Sequence, residues 1–224
     1  MTYSHNLMTR FINSGIMAIL RADDSKNIIP ALEVLVESGI DTVEISLVTP
    51  NATNIIKELH NSLGTKILLG AGTVLDAESA RIAILAGAEF VISPILSLDV
   101  LKISKRYGKM AFAGAFTPTE AMNAWENGSD AVKIFPAMPA GPEYIKALHA
   151  PLPQIPLIPV GGVTLENMEA FMDVGCIAVA ASSSLVSGKL IKEGKLDEIQ
   201  QNAKRWVAEM QRVREKNNYR RGKP

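Results

Sequence analysis

The chain has one cysteine, Cys176, and only three histidines in 224 residues. A lone cysteine excludes an internal disulfide and suits a reducing cytoplasm. His5, His60 and His149 share no metal-ligand spacing with one another or with Cys176, so no metal is expected. Net charge is also missing. With 23 basic and 23 acidic residues the formal charge is zero, which argues against a nucleic-acid partner or an anionic membrane surface. No apolar run approaches the roughly 20 residues of a membrane span, and the N-terminus lacks the apolar core of a secretory signal. There is no Gly-x-Ser-x-Gly elbow, no P-loop, no low-complexity tract and no long linker. A basic excess occurs only from Lys216 to Pro224, read as a frayed tail (216–224) beyond one domain spanning 1–215, with a helix at each end.

What is present is a lysine where charge is expensive. Lys133 stands in Ala131-Val132-Lys133-Ile134-Phe135-Pro136, a short apolar run rich in β-formers. Burial there disfavours the ammonium unless it is paired or loses its proton. A desolvated, partly neutral lysine is a nucleophile suited to Schiff-base chemistry on a carbonyl. The alternative is a structural lysine paired with a buried carboxylate.

An internal repeat supplies the architecture. Four segments read helix, glycine, strand, around Gly39, Gly87, Gly128 and Gly175, which are 48, 41 and 47 residues apart. Glycine just past a helix end provides the left-handed cap. The spacing is long enough for two βα units per repeat. Strands are predicted at 40–45, 88–93, 129–135 and 176–181, and between them at 16–20, 66–69, 109–113 and 157–160. Helix starts are expected at Ser25, Asn51, Asp76, Ser97, Thr117, Gly141, Thr164 and near Asp197. Eight such units in a chain of this length predict a (β/α)8 barrel. An open doubly wound sheet is the alternative, but Arg21-Ala22-Asp23-Asp24 is no dinucleotide loop.

The repeat also sets register. A valine follows each glycine by four residues: Val43, Val91, Val132 and Val179. The next positions are Glu44, Ile92, Lys133 and Ala180. Strand side chains alternate in direction, so the valines share one face and the second set the other. Glu44 and Lys133 should therefore point into the barrel from its second and sixth strands. Glu44 then serves as proton shuttle, or else as a static salt-bridge partner. The loops at strand C-termini add candidates. Gly70-Ala71-Gly72-Thr73 follows the third strand and offers a hydroxyl at Thr73. Gly161-Gly162-Val163-Thr164 follows the seventh and Ser182-Ser183-Ser184 the eighth, the usual phosphate loops of this barrel; a serine there could instead cap a helix. Arg21 ends the first strand as a carboxylate ligand or a solvated arginine. Cys176 reads as packing. The helix from about Leu196 to Arg214 packs Ile199, Ala203, Trp206, Val207 and Met210 on the barrel.

These residues resemble a known family. Val43-Glu44-Ile45-Ser46-Leu47, Gly70-Ala71-Gly72-Thr73-Val74-Leu75, Ile92-Ser93-Pro94, Thr117-Pro118-Thr119-Glu120, Val132 to Pro136 and Gly161-Gly162-Val163 are similar to the 2-keto-3-deoxy-6-phosphogluconate/4-hydroxy-2-oxoglutarate aldolases. The resemblance runs from about Ile16 to Val186. It implies a class I aldolase that forms a pyruvate Schiff base on Lys133, with Glu44 as shuttle, no further cofactor and a homotrimer. It also implies a keto-acid substrate whose pyruvyl part contacts Thr73 and whose phosphate Gly161 and Gly162 help bind; Pro94, Phe135, Ser182 and Ser183 are further substrate-binding candidates. The chain departs from the phosphogluconate pattern at Val48, where an arginine often stands, and at Val160, Ala181 and Ser182. Ala18 to Arg21, Gly141 to Leu148 and Val160 to Thr164 look closer to the 6-phosphogalactonate branch, in which an arginine matching Arg21 holds the carboxylate. An isomerase or epimerase on a phosphate-binding barrel, and a catalytically silent barrel, remain as readings from other classes.

Overall fold

The computed structural model describes residues 3–22 and 26–221. Eight parallel strands form one sheet in the order β7-β6-β5-β4-β3-β2-β1-β8, and a bridge between Val160 and Ala180 joins its ends. The result is a (β/α)8 barrel. The strands are β1 (Ile16–Leu20), β2 (Thr42–Ser46), β3 (Leu68–Gly72), β4 (Phe90–Ile92), β5 (Met110–Ala115), β6 (Ala131–Ile134), β7 (Leu157–Pro159) and β8 (Val179–Ala181). Helices are α1 (Tyr3–Ser14), α2 (Ile28–Glu37), α3 (Ala52–Leu63), α4 (Ala77–Leu85), α5 (Leu98–Arg106), α6 (Pro118–Glu126), α7 (Ala137–His149), α8 (Leu165–Asp173), α9 (Gly188–Glu193) and α10 (Leu196–Arg221).

Local chemistry explains most boundaries. Gly39, Gly87, Gly128 and Gly175 all sit at positive φ, so the repeat is a helix-ending signal used four times. Asp76 and Ser97 accept from the backbone N–H groups of Ser79 and Val100 and start α4 and α5. Thr117 with Glu120, and Thr164 with Asn167, form capping boxes. The expected start at Ser25 lies outside the described residues.

The valine register holds. Val43, Val91, Val132 and Val179 are fully buried in the layer between strands and helices. A separate apolar cluster fills the barrel interior, including Ile92 and Ala180. Helix α1 closes the bottom. Its Phe11 is buried against Phe112 and Phe90, with ring centroids 5.0 and 6.4 Å away. Arg10 fastens α1 to the starts of β2 and β3 through Asp41 and the carbonyls of Thr65 and Lys66.

Two expectations are corrected. The third strand begins two residues later than predicted and runs through the glycines; Lys66 belongs to a 3-10 turn. Gly70 and Gly72 extend the strand because larger neighbours occupy their missing side-chain space. Helix α7 begins at Ala137 and breaks at Gly141, so Gly141 is a kink within it rather than its start. Helix α10 continues to Arg221, and Lys216 pairs with Glu169. No helix among the described residues is long and apolar enough to cross a membrane.

Candidate active site

The C-terminal ends of the strands surround a cavity of about 630 Å³. Among its lining residues are Arg21, Glu44, Thr73, Pro94, Lys133, Phe135, Gly161, Gly162, Ser182 and Ser183. Every residue singled out in the sequence for binding or chemistry therefore meets at one mouth. Strand alternation places them there. Ile19 pairs in register with Glu44, and Glu44 with Gly70, while Lys133 lies between Gly114 and Ile158.

Glu44 and Lys133 are both buried, with 1% and 5% of their surfaces exposed. Glu44 Oε2 has no hydrogen-bond partner among the described residues, and the charges of Glu44 and Lys133 interact across the cavity. Desolvation raises the Glu44 pKa, and the charges of Lys133 and Arg21 only partly oppose it. Desolvation lowers the Lys133 pKa; Glu44 opposes the shift and Arg21 reinforces it. Both groups are thus driven toward their neutral forms. A neutral amine is a nucleophile, and a protonated carboxyl facing it can exchange protons with whatever stands between them. The Phe135 ring lies 4.8 Å from Lys133 Nζ and walls that space.

The remaining members frame the cavity. Thr73 is a β-branched residue at φ +57°, a strained conformation, and its hydroxyl lies 2.8 Å from that of Ser46. A Cβ on Gly72 would lie 1.5 Å from Glu44 Oε1, so the carboxylate occupies the room this glycine leaves. Gly161 and Gly162 are consecutive residues at φ +89° and +83° before the N-terminus of α8. Ser184 donates to the Val163 carbonyl, locking the two loops together. The helix cap considered for the serines falls instead to Ser187, at α9. Arg21 is exposed at the rim, whereas Val48 does not line the cavity and is 59% exposed.

The model of the KDPG and KHG aldolase family matches residues 8–202. The chain belongs to that family. Membership makes it a carbon–carbon lyase of the aldolase type. It is 37% identical over 171 residues to the 2-dehydro-3-deoxy-6-phosphogalactonate aldolase of Escherichia coli K12, an alignment covering 76% of this chain and 83% of that protein. It is 32% identical over 185 residues to the 2-dehydro-3-deoxy-phosphogluconate aldolase of Haemophilus influenzae, covering 82% and 87%. A KDPG aldolase structure from Legionella pneumophila, with pyruvate captured as a covalent carbinolamine, superposes with a TM-score of 0.82 at 26% identity, covering 91% of this chain and 97% of that one.

Within this aldolase barrel the sequence reading missed Ile19 and Gly188 in the lining, and Ser46 behind it. Ile19 was reachable by alternation, two residues before Arg21 on β1. Gly188 carries no local signal, since α9 was not anticipated. Cys176 is buried away from the cavity and its thiol pKa is pushed up to about 12 by burial, as packing requires.

Proposed function

We propose that the protein reversibly cleaves a 2-keto-3-deoxy-6-phospho sugar acid, or 4-hydroxy-2-oxoglutarate, to pyruvate and an aldehyde through a Schiff base on Lys133. The observation that carries this reading is a buried lysine, driven toward its neutral form, sharing one cavity with a buried Glu44 whose Oε2 has no hydrogen-bond partner. The neutral amine adds to the C2 carbonyl to give a carbinolamine, and the Glu44 carboxyl gives its proton to the carbinolamine hydroxyl, which leaves as water to form the iminium. The Glu44 carboxylate so formed takes the proton from the C4 hydroxyl as the C3–C4 bond breaks toward the iminium, releasing the aldehyde. The resulting enamine is protonated at C3, and water then hydrolyses the imine to pyruvate and free lysine. No further cofactor is needed. Thr73, Pro94 and Phe135 hold the pyruvyl part. Backbone N–H groups around Gly161, Gly162, Ser182 and Ser183 hold the phosphate.

A galactonate-type substrate is the second reading. It is favoured by Arg21, which lines the cavity where Val48 does not, and by Val160 on the cavity wall. We place the enzyme in the cytoplasm. We assign it a homotrimer, the assembly that the family resemblance implies; the exposed Leu75, Ile82, Leu85, Ile95 and Leu98, between the end of β3 and the start of α5, offer apolar surface for an interface. Pyruvate with borohydride should add one reduced pyruvyl unit to Lys133, and Lys133→Ala should abolish it. Labelling at Lys66 or Lys146 would overturn the assignment. Competing assays with the gluconate and galactonate phosphates and with 4-hydroxy-2-oxoglutarate decide the substrate. Light scattering should give about three times 24.2 kDa; a monomer would refute the assembly.

A further inference from the structure

Ser46 is fully buried and does not line the cavity, yet its side chain reaches toward it. It stands two residues beyond Glu44 on β2, in register with Gly72 on β3. Its hydroxyl lies 2.8 Å from the hydroxyl of Thr73, the next residue after Gly72. Thr73 does line the cavity and is only partly buried. Its left-handed backbone is one that a β-branched residue adopts only when its surroundings impose it. Neighbouring backbone bonds supply part of that constraint: Leu47 N–H donates to the Gly72 carbonyl, and Val74 N–H to that of Ile92. They hold the main chain but leave the side-chain torsion of Thr73 free. Ser46 addresses that torsion.

We propose that Ser46 is a positioning residue for the aldol reaction, fixing the Thr73 hydroxyl so that it presents one direction to the pyruvyl part of the substrate. A hydroxyl carries one proton and two acceptor sites. If Ser46 donates to Thr73, the Thr73 proton is free to point into the cavity at a carboxylate or keto oxygen. The burial of Ser46 makes this economical, because its hydroxyl has no solvent to compete for it. The same two strand ends also seat Glu44 over Gly72. The acid–base group and the substrate-binding hydroxyl are therefore placed by one pair of strands, and Ser46 couples them without touching substrate.

This inference rests on the Schiff-base reading above, and its test separates the two. Steady-state cleavage is measured for Ser46→Ala, Ser46→Cys, Ser46→Thr, Thr73→Val and the Ser46→Ala/Thr73→Val double variant, together with melting temperature and borohydride trapping of pyruvate. Ser46→Ala and Thr73→Val should each lower kcat/KM about tenfold, the equivalent of roughly 1.4 kcal/mol. The double variant should be no worse than Thr73→Val alone, because Ser46 acts only through that hydroxyl. Ser46→Thr, which keeps the hydroxyl, should restore most of the activity. Ser46→Cys keeps the size with a weak donor and should resemble Ser46→Ala, so it stands in if the alanine variant is poorly folded. Losses that add in the double variant, or an unaltered kcat/KM in Ser46→Ala and Ser46→Cys, would overturn the proposal. Wild-type protein that takes no pyruvyl label would instead refute the Schiff-base reading.

Discussion

Gly72→Ala is a one-carbon change aimed at a different residue. The added Cβ would lie 1.5 Å from Oε1, 2.1 Å from Cδ and 2.6 Å from Cγ of Glu44. Non-bonded carbon atoms prefer about 3.5–4.0 Å. The carboxyl group must therefore move by more than an ångström, into the cavity or against its wall. The backbone itself raises no objection, since Gly72 does not sit at positive φ. Overpacking should cost stability by about 1–3 kcal/mol. The loss in activity should be larger, because a displaced acid–base group forfeits roughly 10²–10⁴ in turnover. Pyruvate release during cleavage is the assay, with Lys133 labelling as a control that the amine remains competent. The decisive comparison is with Glu44→Ala. Once that side chain is gone the new methyl group meets no carboxyl, so Glu44→Ala/Gly72→Ala should turn over like Glu44→Ala within about twofold. A Gly72→Ala enzyme within threefold of wild type, or a double variant far worse than Glu44→Ala, would refute the reasoning.

Three further outcomes are expected. Imine formation should speed up with rising pH as Lys133 loses its proton and should level off below pH 10.5, since burial lowers its pKa from that value; a pH–rate profile of borohydride trapping with its midpoint at 10.5 or above would contradict this. Arg21→Ala should raise KM about tenfold to a hundredfold by removing a charge-assisted bond to the substrate carboxylate, and unchanged kinetics with every substrate would place the anchor elsewhere. Phe11→Ala should lower unfolding free energy by about 3–5 kcal/mol in denaturant titrations, because it empties the plug beneath the barrel. A loss under 1 kcal/mol would mean that α1 is not part of the core.

Much of this enzyme is legible in one dimension because barrels are periodic. Glycine caps recur where helices must end, and alternation assigns each strand residue to a face. Those two rules alone place Glu44 and Lys133 inside and the four valines outside. The apolar context of Lys133 likewise marks it for desolvation before any coordinates are seen. What the chain could not reveal locally depends on contacts between distant segments. Gly70 to Gly72 reads as a loop, since glycine weakens a strand; only the filling of those gaps by Phe90 and Glu44 keeps it extended. The Ser46–Thr73 bond joins residues 27 positions apart, and its partner's left-handed backbone has no sequence signature in a threonine. Whether Glu44 is a salt-bridge partner or an unpaired acid was undecidable from spacing. Burial and hydrogen-bond geometry, which exist only in the folded barrel, leave Oε2 without a hydrogen-bond partner in a residue that lines the cavity.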